Sequence, residues 1–504
     1  MTTQQQLADS RSLPPAIRPD DPRYAGLVSR GNRRFAGTPD EVCLATSTGD
    51  VVHAVQNAVT AGRQLAVRSG GHCFEGFVDD PAVRSLIDMS LMNRVEYDAE
   101  LGAFMVEAGA TLGEVYRKLY MGWRVTIPAG LFPDVGVGGH ILGGGYGYLC
   151  RLHGLAVDHL HAVEVVVVND AGQAESIVAT RHPDDPHHDL WWAHTGGGGG
   201  NFGVVTRYWF RTPGSTGSTP ADLLPRPPEQ VLSFSIEWDW QSLDEQAFVT
   251  LIRNHGQWFE SDAHPDSAYA GMYSELYLWR RSMGTITLEG QLPAGPGAQQ
   301  LLDAHLEALS QNTVPPSARK VEVKPWLAYA LEGSGMDTRQ HNLKTKDSYQ
   351  RRRLTDEQIS VAYRYLTSEN VPGPGGALIL HSFGGRVNAV APEATAVAQR
   401  DSVLKLFFVA GWEDTDDQTP HLAWVREFFR DVYADTGGVP VTGTASDGSY
   451  INMPDIDLDD PDWNTSGVPW HTLYYKGNYA RLQRIKATYD PHDIFRHRLS
   501  IRPS

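Results

Sequence analysis

An α+β fold in more than one domain is what this sequence predicts, on three observations. Its 504 residues exceed what a single hydrophobic core organises. Helical periodicities of ten to fifteen residues are interleaved with β-branched and alternating runs. A Pro/Gly/Ser-rich stretch, residues 212–228, separates a glycine-dense first part from a middle part patterned like an antiparallel sheet.

The elements follow in order. Residues 1–22 are polar and Pro-rich and read as a flexible arm. Asp50 is placed to cap a helix over 51–61, and 63–68 reads as a strand cut short by Ser69-Gly70-Gly71-His72. Strands are expected over 85–88, 94–98 and 103–107, then a helix over 112–120 capped by Thr111. The run 160–169 is β-branched and ends in a turn at Asp170-Ala171-Gly172. A helix over 189–194, capped by Asp189, leads through a glycine block to a strand over 204–210. Strands over 231–239, 267–278, 284–291, 378–382 and 404–410 and helices over 298–309, 356–366 and 420–433 make up the middle part. A helix over 478–489 stops at Asp490-Pro491.

Composition excludes several classes. Hydrophobic residues make up 41% and charged residues 20%, the balance of a packed globular protein. A formal charge of −17 with no Lys/Arg run argues against a nucleic-acid partner. No uncharged stretch of about 18 apolar residues and no apolar leader is seen, so neither a membrane span nor a secretory signal is expected. Three cysteines, Cys43, Cys73 and Cys150, cannot complete a disulfide framework, which points to the cytoplasm. The segment His182-Pro183-Asp184-Asp185-Pro186-His187-His188 holds metal-ligand residue types, but consecutive side chains and two prolines splay them, so no metal is expected.

Chemistry concentrates in three glycine-dense stretches: Ser69-Gly70-Gly71-His72, then Gly136-Val137-Gly138-Gly139-His140 with Gly143-Gly144-Gly145-Tyr146-Gly147, then residues 196–203. Glycine lets a backbone turn its amides inward against a ligand, so a neutral loop can cradle a diphosphate. Three such loops imply one large anionic cofactor. Residues 198–203 formally fit the dinucleotide fingerprint, but they follow a helix and precede a strand, the reverse of its required context.

These stretches, together with Gly154-Leu155-Ala156-Val157-Asp158 and the ending Asn478-Tyr479, Lys486, Tyr489-Asp490-Pro491 and Phe495, resemble the covalent flavoproteins of the vanillyl-alcohol-oxidase fold, specifically the berberine-bridge-enzyme-like oxidases. The resemblance implies a two-part PCMH-type FAD-binding domain plus a substrate domain with an antiparallel sheet covered by helices. Residues 1–220 would form the first part of the FAD-binding domain, 221–440 the substrate domain, and 441–504 a segment returning to the FAD-binding domain. The implied cofactor is FAD, bonded covalently to His72. It would be held by Arg68, Ser69, Gly70, Gly71, Val135, Gly138, Gly139, His140, Gly143, Gly144, Gly145, Gly147, Gly200, Asn201, Val204 and Asn478. Many members carry a second link through a cysteine, but Phe132 stands at that place, so attachment through His72 alone is expected.

Val135 falls where, in related proteins, valine accompanies reaction with oxygen, so the resemblance implies an oxidase, with dioxygen and a small molecule as its partners. Removing a hydride beside a hydroxyl requires a base. Where relatives often have Tyr-x-Asn-Tyr, this chain has Tyr450-Ile451-Asn452-Met453, and Met453 cannot accept a proton. Tyr146, Tyr450, His140, His381 and Lys405 are the candidates. The leading expectation is oxidation of a C–H beside oxygen or nitrogen in a bulky natural product. The alternatives are oxidation of a sugar C1 hydroxyl to a lactone, and a flavin carrier without turnover.

Overall fold

The computed structural model describes residues 16–29, 31–333, 342–369 and 375–504. Most of the expected arm, residues 1–15, lies outside the described residues. Three sheets organise the chain.

The first is a small parallel sheet, β1 (Glu41–Leu44), β3 (Val83–Asp88) and β2 (Gln64–Arg68), with β3 in the middle. The helix Thr48–Thr60 is capped by Ser47 rather than Asp50: the Ser47 hydroxyl accepts the Asp50 amide at 3.2 Å. Asp50 instead turns back to accept the Thr46 amide at 2.9 Å. The cap belongs to the residue whose backbone is still extended, and that is Ser47.

The second sheet is antiparallel, ordered β4 (Val95–Asp98), β5 (Ala103–Glu107), β8 (Val204–Phe210), β6 (Leu160–Val168), β7 (Ala174–Thr180). The valine run of β6 is buried on both faces, which explains why it lacks alternation. β7 is a largely exposed edge strand whose apolar run is short, Ile177-Val178-Ala179. Thr111 and Glu114 form a reciprocal capping box at the start of the helix Leu112–Trp123. Asp189 caps nothing; it accepts from Arg481 at 2.5 Å, while His187 stands at the N-cap of the helix His188–Ala193. Residues 137–142, expected as part of a glycine loop, form the short helix Val137–Leu142 behind Gly136.

The third sheet has seven antiparallel strands, ordered β12 (Ala318–Pro325), β9 (Gln230–Asp239), β11 (Thr285–Pro293), β10 (Tyr273–Trp279), β14 (Gly376–Ser382), β15 (Leu404–Trp412), β13 (Asn342–Gln350). β10 begins six residues later than expected, because residues 267–272 turn on themselves before entering the sheet. The helix Gln418–Val432 packs Phe428 and Phe429 edge-on against Phe408, at 5.0 and 5.2 Å between ring centres. A separate apolar cluster of this sheet, Tyr277, Ile379 and Phe407 among its members, packs with Phe74 and Met453 from outside it.

β13 breaks the apolar rule for a buried strand. Lys344, Lys346 and Asp347 are all buried and all paired, Lys344 and Lys346 with Asp455 at 2.7 and 2.6 Å and Asp347 with Lys405 at 3.1 Å. Glu75 adds a further contact to Lys344.

The C-terminal segment returns to the first part of the chain. From the helix Tyr479–Tyr489, the Lys486 ammonium donates to the carbonyls of Asn201 and Phe495 at 2.7 and 2.6 Å, and the Ile501 amide donates to the Asn201 side chain at 2.8 Å. Among the described residues no helix is long and apolar enough to cross a membrane, and no cluster of His, Cys, Asp and Glu could hold a metal ion.

Candidate active site

A cavity of about 310 Å³ is lined by β2 and the loop after it, the start of β8 and the loop before it, and the segment 450–454. Phe74 and Met453 stand both in its wall and against the aromatic cluster of the seven-stranded sheet, so the cavity reaches that sheet.

The three glycine stretches converge here. Arg68, Ser69, Gly70, Gly71 and His72, then Val135, Gly138, Gly139 and His140, then Gly200, Asn201 and Val204 all line the cavity. Arg68 does so as a neutralised cation: its guanidinium is buried and bonded to Asp88 at 2.8 Å. Ser69 donates to the Ala108 carbonyl at 2.6 Å and fixes the turn out of β2. Asn201 donates to the Gly197 carbonyl at 2.9 Å and folds the third loop on itself. A Cβ built on Gly139 would meet nothing within 4 Å, so this stretch of wall stands clear of the rest of the protein.

FAD fits these walls. Its diphosphate is large and anionic, Arg68 in the lining is already matched by Asp88, and the glycine-rich turns supply backbone amides at close range. His72, also in the lining, has its Nε2 3.7 Å from Asp134 Oδ2.

Other expected cofactor contacts lie elsewhere. Gly143, Gly144, Gly145 and Gly147 are absent from the lining; the side chains they lack make room for Asn452, Val397, Ala156 and Ala129. Asn478 clips the loop before β15, donating to the carbonyls of Pro392 and Thr395 at 2.9 and 3.2 Å.

The candidate bases separate by position. Tyr450 lines the cavity, and its hydroxyl oxygen accepts two hydrogen bonds, from the Gly145 amide at 3.2 Å and from Asn452 Nδ2 at 3.1 Å. Lys405 holds its ammonium 5.3 Å from the ring centres of both Tyr450 and Tyr146. Burial pushes both phenols well above their ordinary range, while for Tyr450 the two donors pull the other way. His140 lines the cavity as a neutral imidazole, its pKa drawn down to about 4 first by burial and then by the proximity of His72. His381 is not part of the lining. It sits behind Tyr146, rings 6.0 Å apart and perpendicular, with Nδ1 2.8 Å from Glu275.

Sequence reasoning passed over Asn452 as a functional group. Its side chain also donates to the His140 carbonyl at 2.8 Å, so one amide ties the second glycine stretch to the segment carrying Tyr450. Its place two residues after Tyr450 was the available signal. Asp134 gave none, since its meaning depends on where His72 falls.

Residues 39–173 match a family described as FAD binding domain, and residues 449–502 one described as berberine and berberine like. The chain is 52% identical over 489 residues to an aclacinomycin-N/aclacinomycin-A oxidase of Streptomyces galilaeus, covering 96% of this chain and 89% of that protein. A crystal structure of aclacinomycin oxidoreductase superposes with a TM-score of 0.95 at 52% identity, covering 98% of this chain and all of that one. A glycopeptide hexose oxidase complexed with teicoplanin follows at a TM-score of 0.94 and 51% identity, covering 98% and 99%.

Proposed function

The chain belongs to the berberine-bridge-enzyme-like family of FAD-linked oxidoreductases, and from that premise we propose how its own residues carry out the oxidation. The substrate is a bulky natural product, oxidised at a C–H beside oxygen or nitrogen, with dioxygen reduced to hydrogen peroxide. FAD, when bound, accepts the hydride and passes the electrons to dioxygen.

Tyr450 takes the proton that the substrate loses. The carrying observation is its hydroxyl oxygen, which accepts two N–H bonds at the cavity wall with the Lys405 ammonium beside the ring. The two N–H donors favour the phenolate and work against the burial that raises this phenol, so Tyr450 is the phenol that stands in for the one missing at Met453. Tyr146 forms the adjoining wall, its ring 5.4 Å from that of Tyr450, and His381 with Glu275 holds Tyr146 from behind. The aromatic cluster around Tyr277 and Phe407 supports the remainder of a large substrate. Y450F should lower the rate of flavin reduction by substrate by roughly a hundredfold while leaving FAD content unchanged. Reduction at the native rate would remove Tyr450 from the role.

A sugar hydroxyl on such a product is the second reading, and the likeness to a glycopeptide hexose oxidase favours it. Peroxide release from glycosylated products, compared with their aglycones and with free sugars, separates the two.

Attachment through His72 alone is supported by Phe132, which lines the cavity with a phenyl ring that cannot form a thioether. Cys73 also lines the cavity, but burial pushes its thiol up to about 12, out of the nucleophilic range. A proteolytic digest should give one flavin-bearing peptide containing His72; a flavin joined to two peptides, or to Cys73, defeats this reading. The three free cysteines suit a reducing cytoplasm.

A further inference from the structure

We propose that Asp134 is a positioning residue for cofactor attachment: its carboxylate stabilises the positive charge that develops on His72 as the imidazole bonds to FAD. The inference rests on His72 being the anchor. Asp134 Oδ2 stands 3.7 Å from His72 Nε2, the separation of an ion pair rather than of a short hydrogen bond. The His72 side chain is 11% exposed and that of Asp134 37%, so the imidazole is largely desolvated while the carboxylate reaches water.

The position follows from the local fold. Val135 N donates to the Phe132 carbonyl at 3.2 Å and closes a tight turn, and the Val135 carbonyl accepts from Leu112 N at 2.9 Å. Gly70 and Gly136 then press the two loops together, which sets residue 134 opposite residue 72. His140, the neighbouring imidazole, is held neutral by burial and supplies no competing positive charge.

The chemistry balances without a further reagent. A bond forms from Nδ1 of His72 to the 8α carbon of the flavin ring, and one C–H bond of that methyl group breaks. The methyl proton leaves to solvent, and the electron pair enters the ring. Dioxygen, already the oxidant of the proposed reaction, takes the two electrons and becomes hydrogen peroxide. His72 gains a positive charge in the bond-forming step and then loses its Nε2 proton to solvent. The carboxylate acts on that charge while it is forming, as a preorganised counter-charge does in a transition state.

The test uses the full chain made in riboflavin-starved cells, mixed with FAD and air, with acid-stable flavin followed over time. D134N should bind the same total FAD and melt within a degree or two of the native protein, yet attach flavin at least tenfold more slowly. D134A should match D134N, and D134E should recover most of the rate. Attachment at the native rate in D134N and D134A overturns the proposal. Equal slowing in D134E overturns it as well, because the turn rather than the charge would then matter. Acid-stable flavin that persists in H72A, or none in the native chain, would instead show that the anchor itself is misassigned, and the role of Asp134 would fall with it.

Discussion

Gly70 and Gly136 meet backbone to backbone: a Cβ on Gly70 would stand 2.8 Å from the Gly136 Cα, and one on Gly136 would stand 2.8 Å from the Gly70 Cα. Neither residue has a positive φ, so close approach alone requires glycine at both positions. The contact brings the His72 loop against the Val135 loop and so builds one wall of the FAD cavity.

Gly70→Ala should therefore separate the loops at a cost of about 1–3 kcal/mol and reduce the flavin content of the purified protein. Thermal melting with and without added FAD checks this. An alanine variant with native flavin content would mean that the loops yield easily.

Asn452→Ala removes the amide that donates both to His140 and to Tyr450. With one of its two donors gone, the Tyr450 phenolate should become harder to form. Substrate oxidation should fall by roughly tenfold, and the rise of its rate with pH should move to higher pH. Stopped-flow reduction across a pH series reads both effects, and an unchanged pH profile would leave Asn452 with a packing role only.

Val135 lines the cavity and is partly exposed to it. Val135→Leu should slow reoxidation of the reduced flavin by dioxygen more than it slows reduction by substrate, because only the approach of oxygen is narrowed. Measuring the two half-reactions separately decides the point, and equal slowing of both would indicate general packing.

Acid should weaken the fold through its buried histidines. Burial lowers the pKa of His255 to about 3, against 6.5 in the unfolded chain. A histidine depressed in this way contributes its stability above pH 6.5, and the contribution is lost as pH falls from there towards 3. His255 alone should cost about 1.4 kcal/mol between pH 7.5 and 5.5, where the unfolded chain gains the proton and the folded chain does not. His255→Leu should lose correspondingly less over the same interval, measured by denaturant unfolding at both pH values. Identical losses in the two proteins would mean that His255 has water or a partner within the fold.

Much of the cavity wall was legible in the chain because its determinants are local. Ser69-Gly70-Gly71-His72 must turn where it does, since a strand of apolar residues runs into two glycines. Phe132 lacks a thiol in any fold. The strands β5 and β8 and the capping box at Thr111 likewise depend on residues adjacent in sequence. Tertiary structure decided what depends on distant partners. Gly143, Gly144, Gly145 and Gly147 resemble the cradle glycines in sequence, yet they make room for Asn452, Val397, Ala156 and Ala129. β13 carries Lys344, Lys346 and Asp347 and gives no apolar signal, because its charges are neutralised by Asp455, more than a hundred residues away, and by Lys405. His381 and Tyr450 were equal candidates by residue chemistry. Strand register turned the first towards Glu275, and the return of the C-terminal segment placed the second at the cavity wall. A side chain's chemistry is intrinsic to its residue, but its burial and partners exist only once the sheets have closed around it.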